Sequence, residues 1–214
     1  SGAAINRSYY QTVQNLYADF YAQYFAQSTN DFTTDRYVMN DGWLPRMGII
    51  TYVQVVPQLR AIFDNTDSTS GQYALASILW VYAFDHMTDY FGPVPYFDAG
   101  KAPDTIAYDA QNLIYADFFK RLDQAVTNLK KLGDGANVFG TYDLIYGGDV
   151  SQWIRFANTL RLRLALRISE VDPQQAQQQA EAAVASGVMT DISQSAWIKK
   201  SLNGNDGNGL SQVA

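Results

Sequence analysis

The sequence predicts an all-α chain built from antiparallel helix pairs. Three observations predict it: apolar residues recur at three- to four-residue spacing through most of the chain, short polar breaks separate those stretches, and helix-starting or helix-stopping residues flank several of them. Such pairs can stack as in tetratricopeptide-type arrays, although the sequence signature of those repeats is not clean here.

From Tyr9, the positions Val13, Leu16, Phe20 and Tyr24 recur at helical spacing. A polar break, STNDFTTD, leads to DGWLPRMGIITYVQVVPQLRAIF, where Ile49, Tyr52, Val53, Val56 and Phe63 suggest a second helix. Pro57 kinks or splits it, because proline removes a hydrogen bond inside a helix, and the β-branched content leaves a strand open for part of this piece. DNTDSTSG links to a third helix, from about Gly71 to Met87, with Tyr73, Ala76, Trp80, Ala83 and Met87 on one stripe. GPVP ends regular structure after it. A fourth helix, from about Tyr108 to Leu132, carries Leu113, Phe118, Leu122, Val126 and Leu129 and is closed by GDG. Its partner starts at GGDVSQW, where Asp149 can cap the first turn and Gln152 can complete a capping box. Trp153, Ala157, Leu160, Leu164 and Ile168 follow at helical spacing. A final helix, Pro173 to Ser186, has proline in its first turn. The tail SLNGNDGNGLSQVA has no periodicity and reads as a long loop or a cut end.

Composition narrows the function classes. Fifteen basic residues face twenty-one acidic ones, with pI near 4.6, which argues against a protein that tracks nucleic-acid phosphates. In RFANTLRLRLALR, Arg155, Thr159, Arg163 and Arg167 fall on one face with Arg161 offset; without interleaved aromatics this reads as a wet face whose arginines pair with acids. The absence of cysteine excludes disulfides, thiolate metal sites and cysteine nucleophiles. No apolar run approaches a membrane span, and SGAAINRSYY is not a signal peptide; a processed secreted protein would look like this.

The one histidine stands in DHMTDYFGPVPYF. His86 and Asp89 can share a helix face, but three potential ligands with no second cluster make a poor metal site, and no cofactor is expected. A helix end followed by a rigid turn accounts for the stretch. Pro93 and Pro95 fix its backbone, Gly92 allows the reversal, and Tyr90, Phe91, Tyr96 and Phe97 anchor it. Aspartates at 31, 35, 41, 85, 89, 98, 104 and 149 offer many carboxylate pairs, so their presence does not define a glycosidase. No nucleophile elbow or phosphate loop is present, and NGNDGNG lacks the distal glutamate of a calcium loop. No catalytic residue is assigned.

Fifteen Tyr, eleven Phe and four Trp suit recognition as well as packing. Trp80 and Trp153 sit on apolar stripes and read as core. The binding candidates are loop aromatics beside polar groups: Trp43 with Asn40 and Asp41, Tyr37 and Phe32 on the same connection, and Trp197 elsewhere.

Three segments together carry a resemblance: QYALASILWVYAFDHMTDYFGPVPYF, YADFFKRLDQAVTNLKKL and DLIYGGDVSQWIRFANTLRLRLALRIS. In that order they resemble the SusD/RagB family. The first contains its "YGxVPY" turn in aromatic-Gly-Pro-Val-Pro form at Tyr90 to Tyr96. The third is similar to its "GD…KW.KFANSLRLRLAMRIS" pattern through Asp149, Trp153, Asn158, Arg161 and Arg163, departing at Gln152 and Thr159. The likeness is firm over residues 71–170 and looser at the flanks.

The resemblance implies a tetratricopeptide-like α–α superhelix, with residues 1–214 as one SusD-like helical domain that is part of a longer fold. It also implies a non-enzymatic, lipid-anchored protein on the outer face of the Bacteroidetes outer membrane. Such a protein captures glycans, or in some branches peptides, as a lid on a TonB-dependent SusC-like transporter. Family members are much longer, so a fragment starting after the lipidated cysteine is expected. The motif residues are scaffold and supply no binding residue. A peptide-binding or purely structural helical repeat, and then a glycoside hydrolase, are the alternatives.

Overall fold

The computed structural model describes residues 10–29, 31–101, 105–133 and 135–198. Expectations placed on Tyr9 and the residues before it, on Asp104, on Asp134 of GDG and on the tail from 201 lie outside the described residues. These fall into two compact units, one up to Pro57 and one from Gln58. The described residues outside loops are helical apart from two isolated bridges.

In the first unit, Tyr10–Ala18 is a π-helical stretch that runs into an α-helical turn at Asp19–Tyr21. Val13, Leu16 and Phe20 are buried on it. Tyr24 does not extend that stripe: the helix has ended, Gln23 is left-handed at φ 60°, and Tyr24 is exposed. Arg46–Ile49 is α-helical and Ile50–Val55 π-helical. Bonds closing at i→i+5 put more than 3.6 residues in a turn, so buried positions drift off a regular stripe. Met47, Ile50 and Thr51 are buried at regular helical spacing, leaving Ile49 and Val53 facing solvent, and the wide turn then moves the next buried position to Val56, five residues after Thr51. The wide turns end at Val55, where Val56 N–H still reaches Thr51 O. Pro57, with no N–H to offer, follows as second residue of α1 (Val56–Asn65) and marks a change of helix type.

The second unit holds most of α1 and all of α2 (Gly71–Phe91), α3 (Gln111–Lys131), α4 (Val150–Arg167) and α5 (Pro173–Ser186). Side-chain bonds give the directions. Tyr115 reaches Asp89 and Asn128 reaches Ser68 O, so α3 runs against α2. Arg163 and Arg167 lie beside Asp85 and Asp89, so α4 runs with α2 and against α3, while Arg161 to Gln179 and Asn158 Nδ2 to Gly187 O set α4 antiparallel to α5. This is the helix-pair stacking of the predicted fold class.

α2 is the core helix, apolar nearly all round, with Ala76, Trp80, Ala83, Phe84 and Met87 buried. Ser70 caps it through Tyr73 N. It continues a turn past Met87, to Phe91, because the stop is local rather than set by the stripe. Gly92 takes φ 71°, its N–H bonds Thr88 O at 2.8 Å, Thr88 Oγ1 bonds back to Gly92 O at 2.7 Å, and Pro93 cannot continue a helix. Val94 then pairs with Asp109, whose carboxylate accepts the amides of Tyr96 and Phe97 at 2.8 and 2.9 Å. Tyr96 is driven under Trp80, Phe84 and Phe118, ring edges meeting faces, and its hydroxyl donates to Asp117 at 2.6 Å. Arg60 and Arg121 stack on Trp80, with Arg60 also donating to Ala99 O and Phe97 O.

α3 begins at Gln111 with Leu113 exposed; Ile114, Phe118, Leu122 and Leu129 form its buried stripe. At α4 the Asp149 carboxylate accepts from Ser151 N and Gln152 N, but the capping box does not form. The Asp149 amide is already held by Tyr146 O, and Gln152 Oε1 is left buried without a partner. Trp153 is buried and its Nε1 donates to Asp143 at 2.6 Å. Asp143 also accepts the Gly148 amide, at a backbone position (φ 86°) where a Cβ would meet Val138 O at 2.6 Å.

Candidate functional site

Loop aromatics form a face on the first unit. Its floor is the helix of Tyr10–Ala18 and Asp19–Tyr21, whose buried side carries Leu16 and Phe20. Tyr17 and Tyr21, four residues apart, stand off that side with ring centroids 4.9 Å from each other. The loop above is tied down polar group by polar group. Thr34 Oγ1 donates to Leu16 O, Gln23 Nε2 to Asp35 O at 3.0 Å, and the Gln27 amide to the Asp35 carboxylate at 3.1 Å. Gln27 in turn accepts the Phe32 amide at 2.7 Å.

These ties end in a 3₁₀ turn at Thr34–Arg36, after which Tyr37 takes a left-handed conformation (φ 61°) that non-glycine residues seldom adopt. That backbone directs its ring to Tyr21, at 5.7 Å and near-perpendicular, and leaves Tyr37 63 % exposed. Val38 and Met39 beside it are also exposed. Next, the Asn40 side chain accepts the Gly42 amide at 3.0 Å while its carbonyl accepts Trp43 N and Leu44 N. This turn brings the half-buried Trp43 ring to 5.6 Å from Phe32. Asp41 is exposed at the turn, and burial, then Tyr21, then the Asp41 charge push the Tyr17 hydroxyl pKa up.

Two aromatic groups result: Tyr17–Tyr21–Tyr37 and Phe32–Trp43. The structure pairs Phe32 with Trp43 and gives Tyr37 to a different partner. Asn40 is spent on the loop it shapes. Trp197 belongs to the second unit, 64 % exposed beyond the 3₁₀ turn Ile192–Gln194. Tyr17 and Tyr21 were missed from sequence because they interleave with Leu16 and Phe20 and read as packing; their i,i+4 spacing on the adjacent face of the helix was the available signal.

The scaffold positions fall elsewhere. Gly92, Pro93 and Pro95 form the turn after α2, Asp149 caps α4, and Trp153, Asn158 and Arg161 are buried along α4. Arg163 points to Asp85. His86 does not bond Asp89; its Nδ1 lies 2.9 Å from Tyr82 O. Among the described residues, no group of three or more His, Asp or Glu side chains could hold a metal ion, and no helix is long and apolar enough to cross a membrane.

The stacked antiparallel helix pairs of the second unit define a helical-repeat scaffold. The chain belongs to the SusD-like family, described as Susd and RagB outer membrane lipoprotein, which it matches over residues 3–212. It is 38% identical to a chitin-binding SusD homolog from Flavobacterium johnsoniae, with a TM-score of 0.82 over 88% of this chain and 41% of that one. A chitin-binding protein aligns at 33% identity and TM-score 0.76, over 92% of this chain and 45% of that one. A SusD homolog from Parabacteroides distasonis aligns at 28% identity and TM-score 0.84, over 99% of this chain and 42% of that one. The chain therefore spans less than half the length of these structures. No curated protein matches it.

Proposed function

We propose that this chain serves cell-surface capture of oligosaccharides, without catalysis, for uptake through a TonB-dependent SusC-like transporter. It would do so from a lipid anchor on the extracellular face of the outer membrane. The observation that carries the reading is family membership together with 38% identity to a chitin-binding homolog. Residues 1–214 act in this reading as one helical domain of a longer fold.

The first-unit face supplies a chemistry for it. Flat rings cover the apolar C–H faces of a sugar, and nearby polar groups fix its hydroxyls. Trp43 and Phe32 form one platform and Tyr37 with Tyr17 and Tyr21 the other, with Asp41 as the free polar group and Asn40 shaping the loop. Trp197 is a separate contact point.

Calorimetry with chitooligosaccharides and a panel of other oligosaccharides tests the reading. Saturable binding with no release of reducing ends supports it. Binding of peptides but no sugar would change the ligand class, and reducing-sugar release would make the protein a hydrolase.

A further inference from the structure

α2 and α4 face each other through two matched rungs. Asp85 and Asp89 are four residues apart on α2; Arg163 and Arg167 are four apart on α4. The rung of Asp89 is closed: Arg167 Nε donates to Asp89 Oδ2 at 3.0 Å and Tyr115 donates to Oδ1 at 2.6 Å. The rung of Asp85 is open. Arg163 Nη2 stands 3.8 Å from Asp85 Oδ2, beyond hydrogen-bond reach, and His86 Nδ1 stands 3.9 Å away.

The open rung leaves unspent groups on both sides. Asp85 is 1 % exposed, and its Oδ2 is buried with no hydrogen-bond partner. Arg163 is 60 % exposed and donates to no described residue, and Arg167, 61 % exposed, spends only its Nε. All of them line one cleft of about 330 Å³, together with Asp89, Leu164 and Leu166. A buried polar atom without a partner is costly unless something supplies one. Two guanidiniums with free forks at the mouth exclude a cation and match the planar or tetrahedral oxygens of an oxyanion.

We infer that this open rung is a binding site for an oxyanion, a sugar carboxylate or a sulfate group, held by Arg163 and the free end of Arg167 with the Asp85 carboxyl as a neutral donor on the floor. The protonation state fits. Burial raises the Asp85 pKa and Asp89 adds to the rise, against the lowering by His86, Arg163 and Arg167. Tyr82 from α2 and Tyr115 from α3 complete the groups facing it, and both hydroxyls are themselves pushed up by burial. An anion seated beside Asp85 disfavours its charged form further, so binding takes up a proton. Affinity must then rise as pH falls, by up to about tenfold per pH unit between the carboxyl's free and bound pKa values.

The test is calorimetry on the whole chain with sodium sulfate and with glucuronate, neither of which titrates near neutrality, at several values between about pH 5 and 8. Expected is saturable binding that tightens on acidification and is lost in Arg163→Gln, whose exposed side chain leaves the melting curve in place. Asp85→Asn keeps a neutral donor and is expected to bind with little pH dependence. Preference for glucuronate assigns the site to an acidic sugar, preference for sulfate to a sulfate ester. Absence of saturable binding by either anion overturns the site. So does binding unaffected by Arg163→Gln. A pH slope that survives in Asp85→Asn overturns the part given to Asp85.

Discussion

Two regions of this chain use aromatic residues to opposite ends. Around the turn after α2, Tyr96 meets Trp80, Phe84 and Phe118 edge to face, all four rings are fully buried, and the Tyr96 hydroxyl is spent on Asp117. In the first unit, Tyr17, Tyr21, Tyr37, Phe32 and Trp43 also touch in pairs, yet none is buried, and hydrogen bonds go into the loop that carries them. One region spends its rings on packing, and the other leaves its rings partly or largely exposed. Composition alone could not separate them; the backbone each sits on does.

The sharpest way to break that division is to truncate a ring on the buried side. Trp153→Ala removes a side chain packed against Tyr146 and Phe156 and strips Asp143 of its indole donor. A loss of about 3–5 kcal/mol is expected in denaturant unfolding; a near-neutral result would contradict the reading of this ring as core. Tyr96→Phe is smaller and more specific. It keeps the ring under Trp80 and deletes the hydroxyl bond to Asp117, for an expected cost of about 1.5–3 kcal/mol as a hydrogen bond to a charged group. Arg121 also bonds Asp117, so a cost below that range would show the arginine taking over.

The parts of this architecture that were legible in the sequence are those set by local chemistry. α5 runs from Pro173 to Ser186 as read, because Asp172 caps Gln175 N, proline suits the first turn, and Gly187 takes φ 96° at the end. The aromatic-Gly-Pro-Val-Pro stretch was legible as a stop for the same reason. What was not legible depends on competition or on distance in the chain. The capping box at α4 fails because Tyr146 reaches the Asp149 amide first. Ile49 and Val53 face out because Met47, Ile50 and Thr51 take the buried side, and the wide turn moves the next buried position to Val56. Of the candidate site, the loop aromatics and their turn at Asn40 could be read, but not the pairing of Tyr37 with Tyr21, which depends on a left-handed residue and on Thr34 reaching Leu16 O. Nor does anything local to DHMTD say that Asp85 is buried.

That buried acid gives a pH test within the second unit. Asp85 has a raised pKa, chiefly from burial, so the folded state holds its proton more tightly than the unfolded chain. Its contribution is unfavourable at neutral pH and is relieved as pH falls through the folded pKa. Asp149 is the opposite case: burial pushes its pKa up, but Ser151 and the Ser151 and Gln152 amides outweigh that and lower it. The stabilisation it gives is present above the ordinary aspartate range and fades as pH falls below it. Melting temperature is thus expected to rise on mild acidification before carboxylates such as Asp149 are lost. Asp85→Asn should raise the melting temperature at pH 7 and flatten that rise. A variant that melts lower than the parent at pH 7 would show that the attraction of Arg163 and His86 outweighs burial.

The smallest effect on stability is expected on the exposed side, where the proposed sugar platform lies. Trp43 is half-buried against Phe32, and its amide and carbonyl, not its ring, hold the turn through Asn40 O and Arg46 N. Trp43→Ala should therefore leave unfolding within about 1 kcal/mol of the parent, as surface substitutions usually do. If Phe32 and Trp43 are a sugar platform, the same change should weaken oligosaccharide binding about tenfold or more, as loss of a central aromatic anchor does at other recognition surfaces. Tyr37→Ala tests the second aromatic group separately, since that ring meets Tyr21 and not Trp43. Loss of binding with both, at unchanged stability, would make the two groups one surface. Loss with Trp43 alone would reduce the site to one platform, and unchanged affinity in both would remove the ligand from this face of the molecule and leave Trp197 as the next ring to change.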